Sequence, residues 1–147
     1  MRLWRISNYE NLDGFGGLRA CGRWHTKGRR ILYCAMHPAT ALLEMLVHLE
    51  LDLEDMPDTY RLLEIEIPDT VSNEILSPTI LKADWRTTLQ VTRTIGDAWL
   101  TKNHTALLTV PSAIVPAENV LLNPLHPQAS AASIVSIVTH PLDARLL

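Results

Sequence analysis

The stretch PATALLEMLVHLEL, residues 38 to 51, constrains this chain more than any other. A proline at its head suits the first turn of a helix, where its missing N–H would have no partner anyway. The residues after it predict a helix running to about Leu51. On a helical wheel Leu42, Leu46 and Leu49 share one apolar face, and Met45 widens it. Glu44 lies on the other side, among Thr40, Val47, His48 and Leu51, and only Glu50 points to a clearly polar sector. A helix apolar nearly all round is expected to be buried on several sides. Glu44 is therefore the anomaly, because a buried carboxylate without a partner costs several kcal/mol. Two readings are open. Either it pairs with an arginine or reaches out to water, or it is held in a rigid cleft wall to meet a cationic or hydroxyl-bearing ligand.

The rest of the chain frames that helix. LWRI near the N-terminus alternates and is bulky, so it predicts a short strand. Residues 10 to 29 hold five of the six glycines and four of the five cations of the densest basic patch (Arg19, Arg23, Lys27 and Arg29, with Arg30 next to them), which predicts a long, functional loop. ILYCAM (31–36) has strand character. Residues 52 to 59 are acidic and turn-like. In YRLLEIEI (60–67) Leu63, Ile65 and Ile67 fall on one face and Leu62, Glu64 and Glu66 on the other, which is strand periodicity. A second helix is expected from about Asp84, acting as its cap, to Leu100. Strands are expected in ALLTVPSAIV (106–115, ending at Pro111), NVLLNP (119–124) and IVSIV (134–138). A chain of 147 residues with no repeat or linker reads as one domain, residues 1–147, of mixed α+β class.

Charge excludes some functions. The net charge is −3 and there is no long basic run, so a stripe tracking a nucleic-acid backbone is not expected, nor is direct DNA contact. Arg19, Arg23, Lys27, Arg29 and Arg30 put five cations in twelve residues, a density that suits a small anionic ligand or a solvated loop. No apolar stretch approaches the ~18 residues of a membrane span, and the N-terminus lacks the order of a signal peptide. The cytoplasm is the expected location, with Cys21 and Cys34 as free thiols. Cys21-x3-His25 and Cys34-x2-His37 also offer four zinc ligands, at irregular spacing.

Three more residues carry potential chemistry. Arg23 precedes a strand, Tyr33 lies on it, and Glu44 sits on the next helix. Tyr33 is a core tyrosine with a bonded hydroxyl or a stacking platform. Ser112, in VPSAIVP, stands between two stiffening prolines that fix its hydroxyl in space. It is a turn serine or a site serine. The sequence holds no G-x-S-x-G elbow, so it is not read as a hydrolase nucleophile.

In order along the chain, LWRI, GRWHTKG (22–28), ILYCA, ALLEMLVH, IGDAWL (95–100) and VPSAIVPAENVLLNPLHP (110–127) match a known pattern nearly end to end. The chain resembles the RES-domain toxins, the toxin half of RES–Xre toxin–antitoxin pairs, named for an Arg, a Glu and a Ser. The resemblance makes Arg23, Glu44 and Ser112 the motif residues, Tyr33 the pocket tyrosine, and Arg5 a second pocket arginine. It implies a fold similar to ADP-ribosyltransferases such as diphtheria toxin. It also implies a cytoplasmic, growth-inhibiting enzyme for which NAD is the substrate and no cofactor or metal is required. The reaction would be hydrolysis, phosphorolysis, or mono-ADP-ribosyl transfer to a protein; a catalytically silent NAD-binding partner of the antitoxin is the remaining alternative. The implied partner is an Xre-like helix-turn-helix antitoxin that blocks the pocket, with a toxin dimer inside a hetero-oligomer. GRWHTKGRR is more basic than the pattern requires, and His25 stands beside the motif tryptophan.

Overall fold

The computed structural model describes residues 1–49 and 53–147, without the side chain of Leu53. Strand β1 (Arg2–Ile6) leads into the glycine-rich segment, which contains one short helical turn, α1 (Gly16–Arg19). Then come β2 (Leu32–Ala35), α2 (Pro38–His48), β3 (Thr59–Glu66), β4 (Asn73–Ile75) and α3 (Leu89–Lys102). The chain ends with β5 (Leu107–Pro111), β6 (Glu118–Leu122) and β7 (Ser133–Pro141). The strands form one sheet in the order β4-β5-β6-β2-β1-β3-β7, antiparallel throughout except for β4 with β5. This is the expected α+β class.

The residues explain most of these elements. Pro38 opens α2, and the His37 side chain caps it by accepting the Ala39 N–H at 3.1 Å. Leu63, Ile65 and Ile67 are buried as their alternation requires, while Glu64 and Glu66 on the opposite face pair with Arg2. Leu3, Leu32, Cys34, Ile65, Val120 and Leu122 pack one core. A second core lies under α3, where Trp24, Trp85 and Trp99 meet Leu108, Val110 and Leu121. Each of these large side chains contributes roughly 1.5–3 kcal/mol by leaving water.

Three expectations need correction. Helix α3 starts at Leu89 rather than at Asp84. The carbonyl of Asp84 instead accepts the Thr87 N–H and the hydroxyls of Thr87 and Thr88, which closes a turn around the buried Trp85. Helix α2 is not buried on several sides: Ala41 is its one fully buried residue, and Leu43 and Val47 are 37% and 59% exposed. It is an outer layer laid across β1 and β2, so its far side stays in water. Its expected end near Leu51 lies outside the described residues; the described helix ends at His48. The short β4, which pairs in parallel with β5, is not among the strands that the residue pattern predicts.

Two features of this fold open and line a cleft. First, β1 and β2 are neighbours that meet only at Trp4↔Ala35, whereas β1 and β3 are laddered from Arg2↔Glu66 to Ile6↔Leu62. The sheet splays between β1 and β2, and α2 lies over the gap. Second, one face of α3 grips the glycine-rich segment residue by residue. Thr92 donates its hydroxyl to the Arg23 carbonyl at 2.5 Å, Arg93 donates Nε to the Gly22 carbonyl at 2.8 Å, and Asp97 accepts the Thr26 N–H at 3.0 Å. Gly96 makes the grip possible, because a Cβ there would lie 1.6 Å from the Trp24 carbonyl oxygen. Backbone cannot retreat as a flexible side chain can. Gly96→Ala is therefore expected to destabilise the fold by about 2 kcal/mol or more, read as a lowered urea midpoint; an unchanged midpoint would show that α3 does not press on this segment.

Candidate functional site

Glu44 projects from α2 toward the start of β6 and the end of β5. Its Oε1 accepts two hydrogen bonds, from the Ser112 hydroxyl at 2.9 Å and from the Asn119 amide at 2.7 Å. Its Oε2 has only His48 Nε2, at 3.9 Å, among the described residues. No arginine or lysine pairs with Glu44 among the described residues, and its side chain is 26% exposed. The carboxylate is thus fixed at one oxygen, while the other accepts no hydrogen bond among the described residues. A cavity of about 690 Å³ lies in front of it, in the splay between β1 and β2. Arg5, Arg23, Tyr33, Glu44 and Asn119 all line it. A smaller cavity, about 470 Å³, shares Arg5, Ile6, Gly16, Met45 and Leu49 with the first, so the two adjoin along one wall.

The other sequence candidates fall around this carboxylate. Arg5 reaches across the splay from β1 and donates Nη1 to the Tyr33 carbonyl on β2 at 3.2 Å. Its Nε is buried with no partner among the described residues. Arg23 donates Nη1 to the Arg86 carbonyl at 3.0 Å and lies 5.8 Å from the Trp85 ring centre. Each guanidinium is thereby oriented by a single backbone bond, which leaves other donors of its fork for an anion. Ser112 is brought to Glu44 but is not part of the cavity wall. It is 3% exposed, and its oxygen also accepts the Ile114 N–H at 3.1 Å. Its hydroxyl proton is committed to the carboxylate.

Tyr33 is held at its hydroxyl. The Trp24 N–H donates to Oη at 3.0 Å, and His25 Nδ1 lies 2.7 Å away. His25 Nε2 lies 2.9 Å from the Ala20 carbonyl and 3.3 Å from that of Gly17. Carbonyls only accept, so Nε2 carries the imidazole proton and Nδ1 accepts the phenolic one. Burial raises the pKa of Tyr33, so the phenol stays protonated. Burial also lowers the pKa of His25, against the two carbonyl bonds that favour its charged form.

The four zinc ligands that the sequence offers do not gather. Cys34 lies in the core, where burial pushes its thiol up to about 11, while Cys21 is exposed. His25 is committed to Tyr33, and His37 to the start of α2. No group of three His, Cys, Asp or Glu side chains among the described residues could hold a metal ion. Nor is any helix among them long and apolar enough to cross a membrane.

Asn119 is a site residue that the sequence does not announce. It is a polar residue near the start of an apolar strand, which reads as an ordinary strand end. Its signal is positional only: it lies seven residues after Ser112, on the strand that pairs with β5 just before the serine. His48, one helical turn beyond Glu44, is visible on the wheel, but nothing in the sequence gives it a part.

The fold is thus a mixed-sheet α+β domain with a cleft that has two arginines in its wall and a carboxylate pinned at one oxygen. The family is identified by comparison. The chain belongs to the RES-domain family, whose model, described as RES domain, matches residues 2–144. Toxin Res of Pseudomonas putida (strain KT2440) is 53% identical over 135 residues, covering 91% of this chain and 92% of the relative. The Prs ADP-ribosylating toxin of Sphingobium sp. (strain YBL2) is 37% identical over 155 residues, covering 98% and 95%. The solved MbcT–MbcA toxin–antitoxin complex of M. tuberculosis contains a chain that superposes with a TM-score of 0.76 at 16% identity, covering 95% of this chain and 84% of that one. At that identity the likeness is one of fold. By family this is a RES-domain toxin.

The lowered pKa of His25 has a consequence for stability. The unfolded chain takes up the proton near the ordinary 6.5, the folded chain only at lower pH. Protonation therefore favours unfolding, and stability falls as pH drops below 6.5 until the folded value is reached. The melting temperature should fall between about pH 7.5 and about pH 5.5, and by less in His25→Asn. Equal falls in both proteins would contradict a buried, neutral His25.

Proposed function

We propose that this toxin cleaves the nicotinamide–ribose bond of NAD, with Glu44 stabilising the sugar as it becomes cationic. One observation carries this reading: the carboxylate is pinned through Oε1, Oε2 accepts no hydrogen bond among the described residues, and Glu44 lines a 690 Å³ cavity with Arg5, Arg23 and Tyr33 in its walls. Bond cleavage develops oxocarbenium character on the ribose, and a preorganised anion beside it lowers the barrier without reorganising at the moment of reaction. Oε2 would also accept a ribose hydroxyl. Ser112 and Asn119 act through the carboxylate, by fixing its plane. Arg5 and Arg23 hold the pyrophosphate, and the buried Nε of Arg5, which has no partner among the described residues, gains one when the anion arrives. The Tyr33 ring covers the nicotinamide. No metal is required, because nicotinamide leaves as a neutral base.

Water or phosphate is the acceptor in the first reading. A second reading, transfer of ADP-ribose to a protein, is supported by the name of the Sphingobium relative, an ADP-ribosylating toxin. The partner would be an antitoxin, as in the MbcT–MbcA complex, here of the Xre-like helix-turn-helix type and bound to a toxin dimer.

Incubating the purified chain with NAD should release free nicotinamide, faster with phosphate if the acceptor is phosphate. A chain that binds NAD without releasing nicotinamide would instead be the silent binding partner. Glu44→Gln should keep the fold and lose on the order of 10²–10³ in turnover; turnover at the parent rate would remove Glu44 from the mechanism. Arg23→Ala should raise KM more than it lowers kcat, and an unchanged KM would shift the pyrophosphate to Arg5 or Arg19.

A further inference from the structure

We propose that His25, which does not touch the reacting atoms, is a positioning residue that sets the Tyr33 ring against the nicotinamide subsite. The proposal rests on the NAD reading.

Its basis is a three-bond relay that ends on the cavity wall. His25 is 3% exposed, yet both of its ring nitrogens are satisfied. Backbone carbonyls take the Nε2 proton, which fixes the tautomer and turns Nδ1 into an acceptor for the Tyr33 hydroxyl at 2.7 Å. The Trp24 N–H supplies the second bond to Oη at 3.0 Å. A phenol held by one donor and one acceptor loses its freedom to swing about χ1 and χ2, and the ring face follows the hydroxyl. Sequence makes room for the relay at Gly22, where a Cβ would lie 2.3 Å from Oη and 2.8 Å from Nδ1. The imidazole also lies beside the phenol ring, with centres 5.6 Å apart. The hydroxyl of Tyr33 is therefore committed to these two bonds, and what the residue offers the cavity beyond them is an aromatic surface of fixed tilt. An apolar residue at position 25 would leave the phenolic proton of Tyr33 without its acceptor and the Ala20 carbonyl without its donor.

The alternative is that His25 merely ties down the loop at Ala20. Two substitutions separate these roles, because Asn places its amide near the position of Nδ1 and Gln places its amide near that of Nε2. His25→Asn keeps a partner for Tyr33 Oη, and His25→Gln keeps the bond to Ala20. Nicotinamide release is measured for the parent, both variants, Tyr33→Phe, and Tyr33→Phe combined with His25→Gln, each confirmed as folded by its melting curve. His25→Gln and Tyr33→Phe should each raise KM for NAD about five- to twentyfold with kcat little changed, the pattern of lost uniform binding. The double variant should be no worse than the worse single one, because both remove the same bond. His25→Asn should lie close to the parent. Rescue by Gln rather than Asn, or additive losses in the double variant, would overturn the proposal and leave His25 as a loop tie. A parent protein that neither binds NAD nor releases nicotinamide would overturn the NAD reading and this proposal together. A parent that turns over NAD beside unchanged variants would overturn this proposal alone.

Discussion

The site is organised by one carboxylate oxygen. Glu44 Oε1 is bonded at once by a hydroxyl from the segment after β5 and an amide from the start of β6, two elements that share no local sequence with α2. Those bonds do two things. They offset part of the cost of placing a charge on the inner side of a helix, since hydrogen bonds to the charged form favour it. They also spend one oxygen so that the other has a defined position. A glutamate free to rotate would sample many rotamers and hold none of them against a ligand. The exposed outer side of α2 matters here as well, because a carboxylate near solvent avoids the full desolvation that a helix buried all round would have imposed.

The cleft itself is a consequence of incomplete pairing. Had β1 and β2 been laddered along their length, Arg5 and the Tyr33 carbonyl would face closed sheet. Because the strands meet only at Trp4 and Ala35, Arg5 bridges an opening, and α2 roofs it. The cleft's far wall depends on α3. Thr92, Arg93, Gly96 and Asp97 recur at helical spacing and hold the carbonyls and amides of residues 22–26 in order. This is how a segment with almost no regular structure keeps an arginine, a tryptophan and a histidine in fixed places. The same stripe of the helix serves both ends: Trp99 joins the tryptophan core, while Thr92 and Gly96 hold the segment that walls the site.

Residue patterns make much of this legible. Period-two alternation marks β3, and Pro38 marks the start of α2. The misplaced charge among leucines points to Glu44 with no neighbour known. What is not legible depends on distance in space. Asn119 bears on the site only because β5 and β6 pair, and a single strand-end asparagine carries no mark of that. The start of α3 is deceptive because Asp84 is a good helix cap by residue type, yet the need to bury Trp85 draws the chain into a turn first. The exposure of Leu43 and Val47 contradicts the wheel, since amphipathicity reports which faces could be buried and not which ones find a partner. The flanking prolines mark Ser112 as a hydroxyl fixed in space, but only the packing of α2 beside the end of β5 commits it to Glu44 rather than to the open cavity.

The most direct test is a crystal structure of the Glu44→Gln variant soaked with NAD. The nicotinamide ring is expected against Tyr33, a ribose hydroxyl within hydrogen-bonding distance of the residue-44 side chain, and the pyrophosphate between Arg5 and Arg23. A dinucleotide bound elsewhere, or in this cleft with its nicotinamide ribose turned away from residue 44, would contradict a catalytic role for the pinned carboxylate.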